Sequence, residues 1–566
     1  MYFRPAIIAL IATLLVLSGI GCQKSGPAAS ALPSTVLSPD TIASVHWLGK
    51  RRLGYDATAF YFMRIWNLSQ SARLERQAID HLTTVPERFF PGGSNLTGDS
   101  SARMLPLVYD LDQEESYVEI RAATNSSARR SEAETAQLSS LNSQTTIVLA
   151  IHLSDPAQAG RWFTNLAAVL EPLTASRAVD NPDQNGWYLK TADTGFIQLS
   201  RVNDWTLVSV GPQDNSLSGE ISDRIRRDGV PFVSAGTNLW LEASLDLPRL
   251  AGCFSLSARR TGGEGRGEVG IFSTFNLQPS TLNHLALTLT GDGANVITRA
   301  RLTFSRPLPE SLEPWSIPLD LIHEPLTSFT AVRGIQPLLA GLPAWGGLHI
   351  GTPPDQLFFW SLAGSPYQTY LAAPFPDAGQ QVAALADHLL QKANPWLAAN
   401  GYINFDRAPD SNGVVWGSLP DIKPFIKSAA NGSGSWLFAG LLPQTNTDLT
   451  PPPEGMIQDI LRRTNLVYYD WETTGPRLNP DRELGQTARQ IARRPLMPLD
   501  SAGMDWLAML IPRLGTSATI INRTAPDQLS LYRRSTVGLT APELHLLVDW
   551  LESPQFPRAL HSSKFP

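Results

Sequence analysis

Two cysteines in 566 residues, at positions 22 and 253, leave little scope for covalent cross-linking. If the first is consumed at the N-terminus, the rest of the chain can form neither a disulfide framework nor a cysteine zinc site. Cys253 lies in LPRLAGCFSL, among apolar neighbours, and reads as a buried inert thiol. Charge is sparse as well. Only 17% of residues are Asp, Glu, Lys or Arg, and a net charge of -6 offers no basic surplus for nucleic acid. The patterns HExxH, GxxxxGK[ST] and GxSxG do not occur. Their absence removes the usual signatures of zinc proteases, phosphate-loop nucleotidases and α/β-hydrolases. The nine histidines form no tight group. No metal, no cofactor and no nucleic-acid partner is therefore expected.

What is present has a globular composition. Hydrophobic residues make up 43%, and 42 glycines with 44 prolines imply many turns. The chain exceeds one core, since domains usually hold about 100–200 residues. Residues 38–85 read as helices, because Leu74, Ala78 and Leu82 fall four apart and Phe60, Met63 and Trp66 lie close together. From Met104 onward strands alternate with amphipathic helices. LPLVYDLD and SYVEIRAA suggest a hairpin, and TTIVLAIHL a buried strand. DPAQAGRWFTNLAAVLEPL opens with Asp155 as N-cap and Pro156 at the first helical position. The texture returns with TSFTAVRG, QLFFWSLA, QTYLAAPF, DAGQQVAALADHLLQKANPWL and SWLFAGLLP, and Thr540 with Glu543 makes a capping box for the last helix. The expected fold is α+β: modules at 104–318 and 319–566 of mostly antiparallel strands with packed amphipathic helices, preceded by a helical lead at 41–103. NLWLEASLDLPRL, TSFTAVRGIQPLL and NLVYYDWETTGPRL each join a strand to a Pro-Leu type of turn, which suggests duplication of one unit. Their spacing is too irregular for a solenoid.

The start of the chain says where the protein belongs. Residues 1–21 place Arg4 before an apolar run that ends in small residues, as secretory signals do. That run is shorter than the roughly 20 residues a membrane-spanning helix needs. Cys22 follows directly. The arrangement resembles a bacterial lipoprotein signal: Ile20, Gly21 and Cys22 fit the lipobox, while Gly19 stands where that family has Leu. The resemblance implies cleavage before Cys22, lipidation of its sulfur, and a membrane as first partner. Gln23, rather than Asp, implies by the same resemblance an outer-membrane destination facing periplasm or exterior. An ordinary secretory signal, with Cys22 incidental, is the alternative. Residues 22–40, rich in Ser, Ala, Pro and Gly, read as a flexible tether.

Four stretches, HWLGKRRL, MRIWNLSQSARLE, NLVYYDWETTGPRL and STVGLTAPELHLLVDWLESPQFP, resemble a family of large exported bacterial lipoproteins of uncharacterised activity. The resemblance covers most of the chain after the signal. It implies a cell-envelope location and supplies no catalytic residue.

Chemistry-bearing candidates are few. In VYYDWETT, Asp470 and Glu472 share one strand face roughly 7 Å apart, a separation comparable with acid–base carboxyl pairs in inverting glycosidases. Such pairs flank a substrate from opposite sides, so a polar strand face paired to Arg477 is the preferred reading. His545 and Asp549 are four apart on the last helix and read as a solvated ion pair. His323 and Glu324 precede Pro325 in a loop. GRGEVG at 265–270 matches GxGxxG by letter but leads into a strand, not a helix. NPDQNG imitates a calcium loop through Asn181, Asp183, Asn185 and Gly186, yet Ala192 stands where the bidentate Glu belongs, so a turn is expected. The fifteen tryptophans, Trp360 and Trp416 among them, mostly sit in apolar segments that suit a core better than a sugar platform. The functional expectation is a lipid-anchored, non-enzymatic protein that binds an envelope protein or ligand, or shapes the envelope. The alternatives are a polymer hydrolase using Asp470 or Glu472, and a periplasmic carrier of an apolar ligand.

Overall fold

The computed structural model describes residues 38–89, 99–122, 145–182, 185–191, 195–212, 216–234, 236, 238–250, 282–308, 312–341, 351–363, 365, 367–399, 404–408, 412–416, 422–431, 434–443, 450–491, 500–553 and 556–557. Cys22, the signal, most of the tether, Cys253 and the GRGEVG stretch lie outside these residues.

Strands of the first half are β1 (Thr41–Trp47), β2 (Ser116–Ala122), β3 (Thr145–His152), β4 (Val179–Asn181), β5 (Gly186–Lys190), β6 (Phe196–Val202), β7 (Trp205–Gly211), β8 (Leu241–Asp246), β9 (Leu282–Gly291) and β10 (Val296–Phe304). Those of the second are β11 (Leu326–Arg333), β12 (Gln356–Leu362), β13 (Thr369–Pro374), β14 (Phe405–Arg407), β15 (Val414–Trp416), β16 (Phe425–Asn431), β17 (Gly434–Gly440), β18 (Leu466–Thr473), β19 (Thr516–Ala525) and β20 (Gln528–Ser535). They form one 20-stranded antiparallel sheet with helices packed against it, an α+β fold.

Followed from ladder to ladder, the first half runs β4-β5-β6-β7-β3-β2-β1-β8-β9-β10. The second half runs β14-β15-β16-β17-β13-β12-β11-β18-β19-β20. Each strand thus has a counterpart ten numbers later, and β10 pairs with β20 to join the halves. The topology repeats strand for strand.

Register carries the correspondence to single residues. Leu245 pairs with Ala43, and Glu472, at the same place in β18, pairs with Ser328. Counting on from these partners, Gly49 matches Gly334, and both have positive φ, 87° and 75°. Traced outward through β2, β3, β7 and β6, Leu199 matches Ile426 and Gly186 matches Gly413. The match is more than formal. A Cβ on Gly186 would lie 1.9 Å from the Leu199 carbonyl oxygen, and one on Gly413 would lie 1.9 Å from that of Ile426. Both halves therefore require glycine at the same crossing. Asp155 and Asp377 correspond as N-cap residues of the helices Pro156–Thr174 and Ala378–His388. At the junction Arg299 pairs with Tyr532, and the transferred register makes Tyr532 its counterpart. The two-fold relation passes through that pair.

Alternation along the strands divides the side chains between two faces. The major helical face carries Ser69–Thr83, Asp99–Gln113, Pro156–Thr174, Ala378–His388, Thr474–Ile491, Ala502–Leu510 and Ala541–Leu551 over apolar clusters. Among the described residues the minor face carries one helix per half, Ser216–Asp228 and Glu454–Arg462. These two share the pattern Ile-x-Asp-x-x-Arg-Arg, at Ile221 to Arg227 and Ile457 to Arg463.

Three expectations need correction. The lead is not helical throughout: TIASVHW is β1, held between β2 and β8 and buried on most of its length. The boundary at 318/319 falls between β10 and β11, but β1 belongs with β2 and β8, so the first repeat begins at 41 and not at 104. LPLVYDLD is no strand. It lies in the helix Asp99–Gln113, whose buried Met104, Leu107, Val108 and Leu111 follow the helical period. The three repeat stretches also resolve differently: NLWLEASLDLPRL and NLVYYDWETTGPRL contain the counterparts β8 and β18, whereas TSFTAVRGIQPLL contains β11, the counterpart of β1.

Candidate functional site

Asp470 and Glu472 do share a face of β18, and it is the major helical one. Thr330 Oγ1 donates to Asp470 Oδ1 at 2.6 Å, across the β11–β18 ladder. Glu472 Oε1 accepts the Ala541 backbone N–H at 2.8 Å, where the helix Ala541–Leu551 begins, and Arg477 Nη1 donates to Glu472 Oε2 at 3.0 Å. A carboxyl at a helix N-terminus meets both unpaired N–H groups and the positive end of the helix dipole. Close by, Arg533 donates to Glu543 at 2.7 and 2.8 Å and to Thr519 Oγ1 at 3.0 Å, while Glu543 accepts from the Thr540 N–H. Burial pushes the Glu472 carboxyl up to about 7, and it raises Asp470 against the Thr330 hydrogen bond.

A raised carboxyl beside a second one is what acid–base chemistry asks for. Access decides against it here. Glu472 has 0% and Asp470 6% of its surface exposed. The pairing with Arg477 that the sequence suggested is present; what the pair does is fasten the last helix to β18. The first half shows what the same positions need for folding alone. Counterparts of Thr330, Asp470, Glu472, Thr519 and Arg533 are Val45, Ala243, Leu245, Leu287 and Ala300, an apolar set. The minor face shows the reverse exchange. Glu119, paired with Arg121 and Arg224 at 2.8 Å each, has Trp360 as its counterpart.

That exchange leaves the minor face of the second half rich in aromatic residues. Phe358, Trp360, Tyr370, Trp436 and Phe438 form its core, confirming a packing role for Trp360. At the edge of this core Tyr469, Trp471, Ala518 and Ile520 floor a groove of about 700 Å³. Its wall is the helix Glu454–Arg462, which contributes Met456, Gln458, Asp459 and Arg462. In the first half the connection 229–240 runs from the minor-face helix to β8, and its Phe232 stacks on His46 at 3.7 Å. Residues 463–465 alone make the same link in the second half. Tyr469 is buried and Trp471 half-buried on the floor of the groove. The groove fits the size and the mixed apolar and polar lining of small-molecule sites. Sequence reading missed it, because Tyr469 and Trp471 of β18 meet Ile520 and Ala518 of β19 only across a strand ladder.

Other candidates resolve plainly. His545 is half-buried and its Nε2 lies 2.9 Å from the Leu478 carbonyl, so it joins two helices. His323 is buried, and burial lowers its pKa. Asn181 and Gly186 belong to the β4–β5 hairpin, where Asn185 takes a positive φ of 47°, as a turn requires. Among the described residues no group of three or more His, Cys, Asp or Glu is placed to hold a metal, and no helix is long and apolar enough to cross a membrane. Comparison with protein-family models, with curated proteins and with solved structures gives no match.

Proposed function

We propose that this is a membrane-tethered binding protein of the cell envelope, without catalytic activity, whose ligand site is the groove beside Glu454–Arg462. The observation that carries the reading is a groove of about 700 Å³ floored by Tyr469, Trp471, Ala518 and Ile520. The other half supports it by contrast, since the counterparts of Tyr469 and Trp471 there are Glu242 and Ser244, which offer no aromatic floor. Aromatic floors with polar rims hold ligands that are apolar on one side. The hydrolase alternative has no accessible carboxyl to work with at Asp470 or Glu472.

Titration with 1-anilinonaphthalene-8-sulfonate tests the site. Saturable binding is expected, and Trp471→Ala should weaken it about tenfold, as loss of a central aromatic contact does. Unsaturable binding, or binding indifferent to Trp471, would mean that the groove is not a ligand site.

The tether is the second part of the proposal, and it rests on the apolar run 6–21 ending at Cys22. Cys22→Ser removes the sulfur that would carry the lipid. The variant is expected to lose labelling by a radioactive acyl donor, and any processed product should appear in the soluble fraction after a membrane wash. Normal cleavage with retention on washed membranes would mean that something other than Cys22 holds the protein there.

A further inference from the structure

The floor of the groove ends on β19, and the same sheet face continues onto β20. Ala518 and Ile520 in its floor pair with Arg534 and Tyr532 of β20, on the same face. Tyr532 pairs in turn with Arg299 of β10. Strand spacing places Arg534 about 10 Å from β18 and Arg299 one strand further. The apolar floor therefore runs into a cationic patch at the junction of the two halves.

Both arginines are unusual in what they lack. Arg299 has its guanidinium 5.4 Å from the Tyr532 ring centroid, and no carboxylate among the described residues pairs with it. Arg534 Nη2 reaches Asp292 at 2.8 Å, but its Nε is buried with no partner. The two are diagonal neighbours across the β10–β20 ladder, roughly 7–8 Å apart. Like charges at that distance repel, and one anionic group between them would satisfy both. At the other end of the groove Glu454 and Asp459 line the rim, with Asp459 held by Arg463 at 3.0 Å. Arg462 also lines the helix end, so the charges there are mixed, whereas the junction end sets two arginines beside Asp292.

We propose that the groove's ligand is an amphipathic anion, with its apolar body on Tyr469, Trp471 and Ile520 and its anionic head between Arg299 and Arg534. The assignment rests on the groove being a ligand site. A phospholipid-type phosphate and a fatty carboxylate share the required chemistry.

Calorimetric titration of the signal-less full chain with decanoate, decyl phosphate, 1-decanol and inorganic phosphate separates the possibilities. At least one of the two anionic amphiphiles should bind about tenfold or more tightly than 1-decanol, consistent with one or two charge-assisted hydrogen bonds. Inorganic phosphate should not bind measurably. Arg299→Gln and Arg534→Gln should each weaken the anionic ligand about tenfold and leave 1-decanol unchanged, which also reports an intact fold; Arg299→Lys should restore part of the loss. A preference for decyl phosphate would indicate a lipid headgroup, and one for decanoate a fatty acid. Equal binding of 1-decanol, strong binding of inorganic phosphate alone, or arginine variants without effect would overturn the anionic assignment while leaving the groove. Failure of all three decyl compounds to bind would overturn the groove itself.

Discussion

Alanine at Gly186 or at Gly413 is expected to destabilise the protein by about 3 kcal/mol or more, and by nearly the same amount at either place. The new Cβ would stand 1.9 Å from a backbone carbonyl oxygen, that of Leu199 in one case and of Ile426 in the other. Backbone cannot rotate aside as a side chain can, so neighbouring strands must part. Gly219 is the control. It lies inside the helix Ser216–Asp228, where an added Cβ would meet nothing within 4 Å, and alanine there should stabilise by about 0.5–1 kcal/mol. Thermal unfolding of the three variants beside the parent measures all of this. A cost under about 1 kcal/mol at either strand glycine would mean that the β5–β6 or β15–β16 crossing is not as described.

Removing the Glu472 carboxyl is expected to have the other large effect. At pH 8, Glu472→Ala should cost about 3 kcal/mol, because it leaves Arg477 with less compensation and the Ala541 N–H without its acceptor. Arg477 keeps Asp481, at 3.3 Å, which limits the loss. The pH dependence has a definite sign. Burial raises this carboxyl from 4.5 to about 7, so the native state holds its proton more tightly than the unfolded chain does. The stabilisation is complete below about pH 4.5 and is lost as pH rises through about 7. Glu472→Gln does not titrate. Its stability relative to the parent should therefore improve across that window by about 3 kcal/mol, since a tenfold change in proton affinity is worth about 1.36 kcal/mol. Chemical denaturation at pH 4.5, 6 and 8 measures the difference, and a flat or inverted trend would contradict the burial of Glu472.

Much of the fold was legible in the sequence because local signals agreed with tertiary ones. Asp155 with Pro156, and the Thr540 and Glu543 capping box, begin helices where expected. Most apolar strands, such as TTIVLAIHL and SWLFAGLLP, are strands of the sheet. The strands at the junction escaped notice for a physical reason. β20 (QLSLYRRS) carries Arg533 and Arg534 on opposite faces, and β10 (VITRARLTF) puts Ile297 on the face of Arg299 and Arg301 and Thr298 on the apolar one, so neither alternates cleanly between an apolar and a polar side. β1 was lost among helices because the residues after it are helical. The Asp470 and Glu472 pair was legible as a shared face and a partner in Arg477. Its burial was not, since helix Ala541–Leu551 closes over it from a distant part of the chain. The groove was beyond sequence reading altogether: Tyr469 and Ile520 come together only across a strand ladder.

The proposed ligand site lies in one half of a two-fold repeated sheet, at the groove beside Glu454–Arg462. Photo-crosslinking with a diazirine-bearing decanoate, followed by peptide mapping of the full chain, puts that assignment to the test. Adducts are expected in Glu454–Arg462 and in β18 or β19, competed away by excess decanoate or decyl phosphate. Adducts confined to the first half, or spread over both halves without competition, would contradict it.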